Sequence, residues 1–530
     1  MIRNQISNRL VLVSNRLPFS IVRSNKEVKF SPTSGGLVSA IEPVLSKRGG
    51  LWIGWPGTFE ELNFDSLLAD WPKQMGYQVQ PVTLSKTEHD SFYYGFSNEI
   101  LWPLFHDLQS RCNFFNTDYW TSYVNVNKKF AEVVAKNYLS NDYIWVQDYQ
   151  LINVGQELRK KGIKTKIGFF LHIPFPPPDI FFKLPWRENI LYALLEYDLV
   201  GFQTLHDRNN FLQCVRILIK KAHCIGFGKG RIVTIKNCNR ETSAGYFPVG
   251  IDYEGFASNA LSTEVINQAK SIQTSLIDRQ IIFGVDRLDY TKGITCKLEA
   301  FRTTLKIFPQ LHQKLTLVQV VVPSRENIAQ YYSMKADIER LVSEINGQFT
   351  KPGWVPINYI FGSLSRNELL AYYRAADIAL VTPLKDGMNL VAKEYCAANT
   401  DGNGVLILSE FAGAADQLSK GALLVNPYSI EVIANAIYVG FLMNKNERKS
   451  RMQKMQYSVK KYNSFWWAES FLKTGETHNF SVPHLKLIKN DPQSNKVIAK
   501  TVALANFVFF VFLKLLMDFL KNTEPYASIS

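Results

Sequence analysis

The residues best equipped for chemistry are cations and carboxylates set beside glycines. Arg287-Leu288-Asp289-Tyr290-Thr291-Lys292-Gly293 follows the apolar run Ile281–Val285 and leads into a helix-like stretch, Leu298–Leu305. Two cations five residues apart at a strand-to-helix junction can converge on a diphosphate, Arg287 as a planar fork and Lys292 as a point charge. A leaving diphosphate gains negative charge as its bond breaks, so cations held there lower the barrier more than they stabilise the ground state. A plain surface pair between Arg287 and Asp289 is the other reading of the same spacing. Farther on, Asp386-Gly387-Met388-Asn389-Leu390-Val391-Ala392-Lys393-Glu394 reads as a loop becoming a helix. Gly387 permits unusual backbone angles, and the amides of Met388, Asn389, Leu390 and Val391 lack partners at a helix start unless they meet an anion. Asp386 and Glu394 are acceptors of the kind that hold sugar hydroxyls. Equally, Asp386 could cap the helix and Glu394 complement its dipole.

In the first half, Ser34-Gly35-Gly36-Leu37 precedes a helix expected from about Val38. Paired glycines let a backbone approach a ligand closely, and a helix start offers free N–H groups to phosphate; a ligand-free tight turn has the same sequence. His172 ends an apolar run before Pro176-Pro177-Pro178, where a satisfied core histidine is the ordinary reading. Metal ligation is disfavoured there, because no second His or Cys stands at ligand spacing. Asp148 could cap a helix, and Tyr93 and Trp102 are by default core aromatics.

Short apolar runs recur at Leu10–Val13, Tyr143–Val146, Ile167–Leu171, Leu199–Phe202, Ile281–Val285, Leu315–Val322, Ile357–Phe361, Ile378–Val381 and Val405–Leu408. Runs apolar on both faces, spaced by helix-length segments, suit buried parallel strands in doubly wound α/β sheets. Polar residues gather where these runs end: Ser14-Asn15-Arg16, Asp148, His172, Arg287 with Asp289, Ser324-Arg325 and Lys385-Asp386. Ligands of open α/β sheets bind outside the carboxyl ends of strands, so clusters in both halves point to a cleft between two domains. The series pauses near Tyr246–Gly255. A boundary is expected there, giving domains 1–248 and 249–475 and a tail, 476–530.

A chain of 530 residues has room for two such domains and extensions. Its net charge of +14 predicts attraction to anions, but the basic runs are short and scattered, which favours a solvated surface over nucleic acid. The six cysteines form no C-x-x-C and no visible disulfide framework, and Met1–Asn8 lacks the apolar stretch of a signal peptide. A cytoplasmic setting follows as the expectation.

Ser14-Asn15-Arg16, Gly35-Gly36, Tyr93 with Trp102, Asp148-Tyr149, His172-Ile173-Pro174-Phe175-Pro176, Arg287 to Gly293 and Asp386 to Glu394 occur together in one order. Over about residues 8–475 the sequence resembles the trehalose-6-phosphate synthases. That resemblance implies a GT-B fold of two Rossmann-like domains. It also implies glucose transfer, with retention, from a nucleotide sugar such as UDP-glucose to glucose 6-phosphate, without metal or cofactor. It implies that Arg16 and Arg325 clamp the acceptor phosphate, with Tyr93, Trp102 and Asp148 lining the acceptor pocket. Gly35 and Gly36 would approach the donor diphosphate, and Arg287 and Lys292 would bind it. His172 and Asp386 would contact the donor glucose, with Met388, Asn389, Leu390 and Val391 at the nucleotide and Glu394 at the ribose. Where the family carries histidines beside the acceptor aspartate, this chain has Gln147 and Gln150, amides that cannot carry a proton. Glycerol 3-phosphate is the alternative acceptor, and a catalytically silent homologue the alternative class.

The tail matches nothing in that family. Its apolar run Val502–Leu513 is too short to span a membrane, and around a helix Lys500, Lys514, Asp518 and Lys521 share one narrow arc. Such a helix packs on its own domain, joins a partner subunit in a homo-oligomer, or lies on a membrane surface.

Overall fold

The computed structural model describes residues 9–24, 27–32, 35–226, 230–238, 240–324 and 329–476. Arg325 and the tail beyond Glu476 therefore lie outside the described residues. In chain order the strands of the first half are β1 (Leu10–Arg16), β2 (Phe19–Ser24), β3 (Glu27–Pro32), β4 (Leu51–Trp55), β5 (Gln78–Pro81) and β6 (Tyr143–Gln147). There follow β7 (Ile167–Phe170), β8 (Leu199–Phe202), β9 (Ala222–Ile225), β10 (Ile232–Asn237) and β11 (Arg240–Tyr246). The second half has β12 (Gln280–Arg287), β13 (Leu315–Val322), β14 (Ile357–Phe361), β15 (Ile378–Val381), β16 (Val405–Ser409) and β17 (Leu423–Val425).

The larger sheet runs β5-β4-β1-β6-β7-β8-β11-β10-β9, and the smaller β14-β13-β12-β15-β16-β17. Every pairing in the smaller sheet is parallel. In the larger sheet only the β11-β10 and β10-β9 pairings are antiparallel. Setting aside the β2-β3 hairpin and the edge strands β11, β10 and β9, of which β11 still pairs parallel with β8, both sheets have the strand order 3-2-1-4-5-6. Each therefore has a switch point beside its first strand, where chain connections depart in opposite directions. Those points fall between β1 and β6 and between β12 and β15, so the loops ending at Arg16, Asp148, Arg287 and Asp386 all open there.

The strands are apolar on both faces because helices cover both. Leu10 and Leu12 of β1 join one core with Trp52 and Trp145, whereas Val11 and Val13 join another with Ile53 and Val146. All four are at most 1% exposed, and full burial of each such side chain stabilises by about 1.5–3 kcal/mol. After β11 the chain leaves through Phe247-Pro248-Val249-Gly250, and it returns at Asn463-Ser464. The two passages touch: the Ser464 amide donates to the Ile251 carbonyl at 3.0 Å. A Cβ on Gly250 would lie 2.3 Å from the Asn463 carbonyl carbon. The last described helix, Ser464–Glu476, then packs Trp467 and Phe471 on Trp145 of β6, with ring centroids 5.0 and 4.7 Å apart.

Candidate active site

On the smaller sheet, β12 ends at Arg287 and a single turn, Tyr290–Lys292, leads into the helix Ile294–Ile307. Asp289 is fully buried, and its Oδ1 accepts from the Thr291 amide at 3.0 Å and hydroxyl at 2.9 Å, which fixes the turn. Lys292 donates to Asp386 Oδ2 across the switch point. Asp386 Oδ1 accepts the amides of Met388 and Asn389, both at 3.1 Å. Burial alone would raise the Asp386 carboxyl, but Lys292, His106 and the Met388 amide outweigh it and hold the group below its ordinary range.

The helix here is Leu390–Ala398, and its cap is Asn389, whose side chain accepts from the Ala392 amide. Asp386 is therefore not the helix cap, and two of the four amides expected to be open are closed by Asp386 itself. The positive φ belongs to Asn389 (53°) rather than to Gly387. Gly387 is needed for a different reason: a Cβ there would lie 2.1 Å from the His172 carbonyl oxygen. Leu390 and Val391 supply the first helical amides, which have no intrahelical carbonyl to meet. Glu394 lies beyond the first turn and is half-buried. Burial raises its carboxyl, opposed by a hydrogen bond from the Tyr373 hydroxyl at 2.9 Å.

On the larger sheet, His172 follows β7 and is 2% exposed. Its Nε2 lies 2.9 Å from Gln147 Oε1 and its Nδ1 3.2 Å from Met388 Sδ. Burial pushes the ring down to about 3, so it is neutral near pH 7. Asp148 follows β6 with φ 70°, an uncommon angle for a residue with a side chain, and accepts the His172 amide at 3.1 Å. Burial raises its carboxyl to about 7, against the pull of three amides and Arg287.

Tyr93 sits in a π-helix, Asp90–Leu101, and Trp102 follows it directly. Such helices are rare, and a run of twelve residues needs outside support. Asn98 provides it, donating to the Tyr93 carbonyl at 2.6 Å and accepting from the Tyr149 hydroxyl at 2.9 Å. The π-helix and the Asp148 turn are thereby tied together. Arg16 lies over the Trp55 ring at 5.0 Å, donates to Ser20 Oγ at 2.7 Å and is within electrostatic reach of Tyr93 and Tyr94. Gly57, at φ 83°, leaves room for that guanidinium, since a Cβ there would meet Arg16 Nη2 at 2.5 Å.

The two halves meet through these groups. Gly36 opens the helix Gly36–Arg48, two residues earlier than expected, and a Cβ on it would lie 3.1 Å from Leu390 Cδ1. Gly35 has open space around it. Arg287 is exposed and lies 5.7 Å from the Trp102 ring. His106 was not singled out in the sequence. Its ring packs at a tilt on Trp102, with centroids 4.2 Å apart, its Nδ1 meets the Trp102 carbonyl at 2.7 Å, and it is within electrostatic reach of Asp289, Asp386 and Lys292. Burial pushes it down to about 4. Its spacing from Trp102, i to i+4, was the available signal, but nothing in the sequence marks a helix there as functional.

The sequence profile described as glycosyltransferase family 20 matches residues 8–476. A trehalose-6-phosphate synthase of Mycolicibacterium vanbaalenii is 41% identical over 466 residues, covering 87% of this chain and 94% of that protein. A UDP-forming alpha,alpha-trehalose-phosphate synthase of Candida albicans is 39% identical, covering 88% and 97%. Among solved structures, a UDP-forming alpha,alpha-trehalose-phosphate synthase from Burkholderia xenovorans in complex with glucose-6-phosphate superposes with a TM-score of 0.80 at 32% identity, covering 89% of this chain and all of that one. An E. coli structure bound with UDP-2-fluoro glucose gives 0.78 at 34% identity, covering 89% and 99%.

Proposed function

The chain belongs to glycosyltransferase family 20, and from that premise we propose that it transfers glucose from UDP-glucose to glucose 6-phosphate, releasing UDP and alpha,alpha-trehalose 6-phosphate. The fold is GT-B, and the protein is a glycosyltransferase that acts on small molecules. The observation that carries the reading is the Lys292–Asp386 pair at one switch point, set against His172 and Gly36 from the other sheet.

Residues 1–248 hold the acceptor in this reading and 249–475 the nucleotide sugar. Arg16, with Arg325, takes the acceptor phosphate, and Tyr93, Trp102 and Asp148 take its sugar. Arg287, Lys292 and the amides of Leu390 and Val391 take the donor diphosphate and nucleotide, and Glu394 the ribose. Neutral His172 and Asp386 hold the donor glucose. Asp386 makes a poor nucleophile, because Lys292 and two amides already occupy its oxygens. Retention without a covalent intermediate then follows from reaction on one face. The bond from the sugar carbon to the diphosphate breaks with its electron pair, the acceptor hydroxyl oxygen bonds to that carbon, and its proton passes to the departing phosphate oxygen. Lys292 and Arg287 stabilise the charge that develops.

We further infer a cytoplasmic setting, supported by six unpaired cysteines. Among the described residues no helix is long and apolar enough to cross a membrane. The tail remains our candidate for self-association or contact with a membrane surface; deleting residues 477–530 with no change in oligomeric state or vesicle binding excludes both.

The test is UDP release from purified protein given UDP-glucose with glucose 6-phosphate or glycerol 3-phosphate, with and without EDTA. Release that requires glucose 6-phosphate and survives EDTA is the expected result. Preference for glycerol 3-phosphate overturns the acceptor assignment.

A further inference from the structure

Ten residues at the end of the π-helix reach three separate places on the smaller sheet. Trp102 faces Arg287 at 5.7 Å, Arg111 lies over the Tyr290 ring at 4.8 Å, and Asp107 accepts from Lys385 Nζ. Each of these partners is a catalytic candidate or stands within two residues of one. Lys385 immediately precedes Asp386, and Tyr290 shares its turn with Lys292. We infer that Asp107 and Lys385 are positioning residues, an ion pair that fastens the acceptor side to the loop carrying Asp386 and so sets that carboxylate for transfer. This rests on the reading of Asp386 as part of the transfer site.

The local backbone supports the assignment. Asp107 is held at φ 61°, a left-handed angle, by a compact turn in which the Asp107 amide donates to Leu104 at 3.1 Å and the Leu108 amide to Pro103 at 2.8 Å. That turn aims the carboxylate across the cleft. Among the described residues its Oδ1 is buried without a hydrogen-bond partner, which is costly, and the ion pair at Oδ2 opposes that cost. The side chains are 36% and 17% exposed, so salt screens the pair in part and its direct worth is modest. Its effect on rate is larger than that, because a reacting group displaced by a fraction of an ångström loses much of its advantage.

Asp107→Asn tests the charge alone, since asparagine tolerates a left-handed backbone as well as aspartate does. It is compared with Lys385→Met, with the double variant and with the reversal Asp107→Lys/Lys385→Asp. The readouts are kcat, both KM values, the thermal midpoint and the share of UDP-glucose hydrolysed when acceptor is present. Each single variant is expected to lower kcat about fivefold and raise the hydrolysed share, at an unchanged midpoint, in keeping with looser exclusion of water. The double variant is no worse than either single one, and the reversal recovers most of the loss. Additive losses, or wild-type kcat and hydrolysis in Asp107→Asn, overturn the inference. The fastening of the acceptor side to the Asp386 loop is also read without turnover, from the radius of gyration with UDP bound. Should the wild type release no UDP with glucose 6-phosphate, the proposed function falls. The pair is then judged by scattering alone: a larger radius in Asp107→Asn supports it and an equal radius removes it.

Discussion

The two walls of the site are built by different means. The wall on the smaller sheet is mostly regular, with Asn389 at φ 53° its one exception among the site residues: strand, tight turn and helix, with Arg287, Lys292 and Asp386 near strand ends and Glu394 one turn into a helix. The wall on the larger sheet departs from regular backbone at or beside most of the side chains expected to meet the acceptor. Tyr93 rides a π-helix, Trp102 ends it, Asp148 has φ 70°, and Arg16 needs Gly57 at φ 83°. A diphosphate is the same in every nucleotide sugar, and strand ends with helix amides meet it well. A particular sugar phosphate demands side chains at angles that regular elements do not present, and strained backbone collects at such places. The comparison suggests that donor recognition comes from the fold and acceptor recognition from exceptions to it.

The sharpest way to break this contrast is Lys292→Ala. It leaves the largely buried Asp386 without its cation and, in the proposed reading, removes a diphosphate contact, a loss of about 3–5 kcal/mol. The expected outcome is a fall in kcat of more than about a hundredfold at nearly unchanged acceptor KM. A variant impaired mainly in acceptor use would exchange the two walls. Asp386→Asn comes next, with kcat lowered by about tenfold to a hundredfold. Mass spectrometry under turnover should find no glycosyl adduct on residue 386 of the wild type; an adduct there would sink one-face transfer. Arg16→Ala should raise the acceptor KM by more than about tenfold while the donor KM holds, the cost of one buried phosphate-paired arginine being about 2 kcal/mol or more.

Asp148 gives a pH test of the acceptor wall. Its carboxyl is raised to about 7, so it is protonated below that value and ionised above it. kcat/KM for the acceptor should climb through about pH 7 and level off, and in Asp148→Asn this limb should be missing. The same sign applies to stability: a carboxyl raised on folding disfavours the native state increasingly as pH climbs from its unfolded value towards 7, so Asp148→Asn should gain relative stability over that window. The smallest effect belongs to Gly36→Ala. Its new methyl would press on Leu390 Cδ1, the far end of a flexible side chain, and a severalfold rise in donor KM is the expected extent.

What the sequence shows of each wall follows the same division. The nine apolar runs named from sequence correspond to β1, β6, β7, β8, β12, β13, β14, β15 and β16, because a parallel strand covered on both faces is apolar along its length; β14, at the sheet edge, keeps the composition although most of it is only half-buried. The antiparallel edge β9-β10-β11 and the edge strand β5, which ends in Pro81, are half exposed and carry no such run. β4, Leu51–Trp55, is wholly buried but is not among the runs named from sequence, because two tryptophans and Gly54 disguise it. The π-helix is not legible at all. Its stability comes from Asn98 reaching Tyr149 some fifty residues away, and no local period records such a bond. For the same reason Gly387 was given to backbone angles when its place is set by the His172 carbonyl, a contact between halves of the chain.

The helix Ser464–Glu476 has a consequence for how the protein is made. Its Trp467 and Phe471 are fully buried against Trp145 and Phe170, so a face of the larger sheet is completed by the last described segment of the chain. On the ribosome the first half emerges long before that helix exists, and the apolar face must wait through synthesis of the entire smaller sheet. Bare apolar surface on a nascent sheet invites aggregation. The half that is translated first therefore depends, for one of its faces, on the last described segment to be translated.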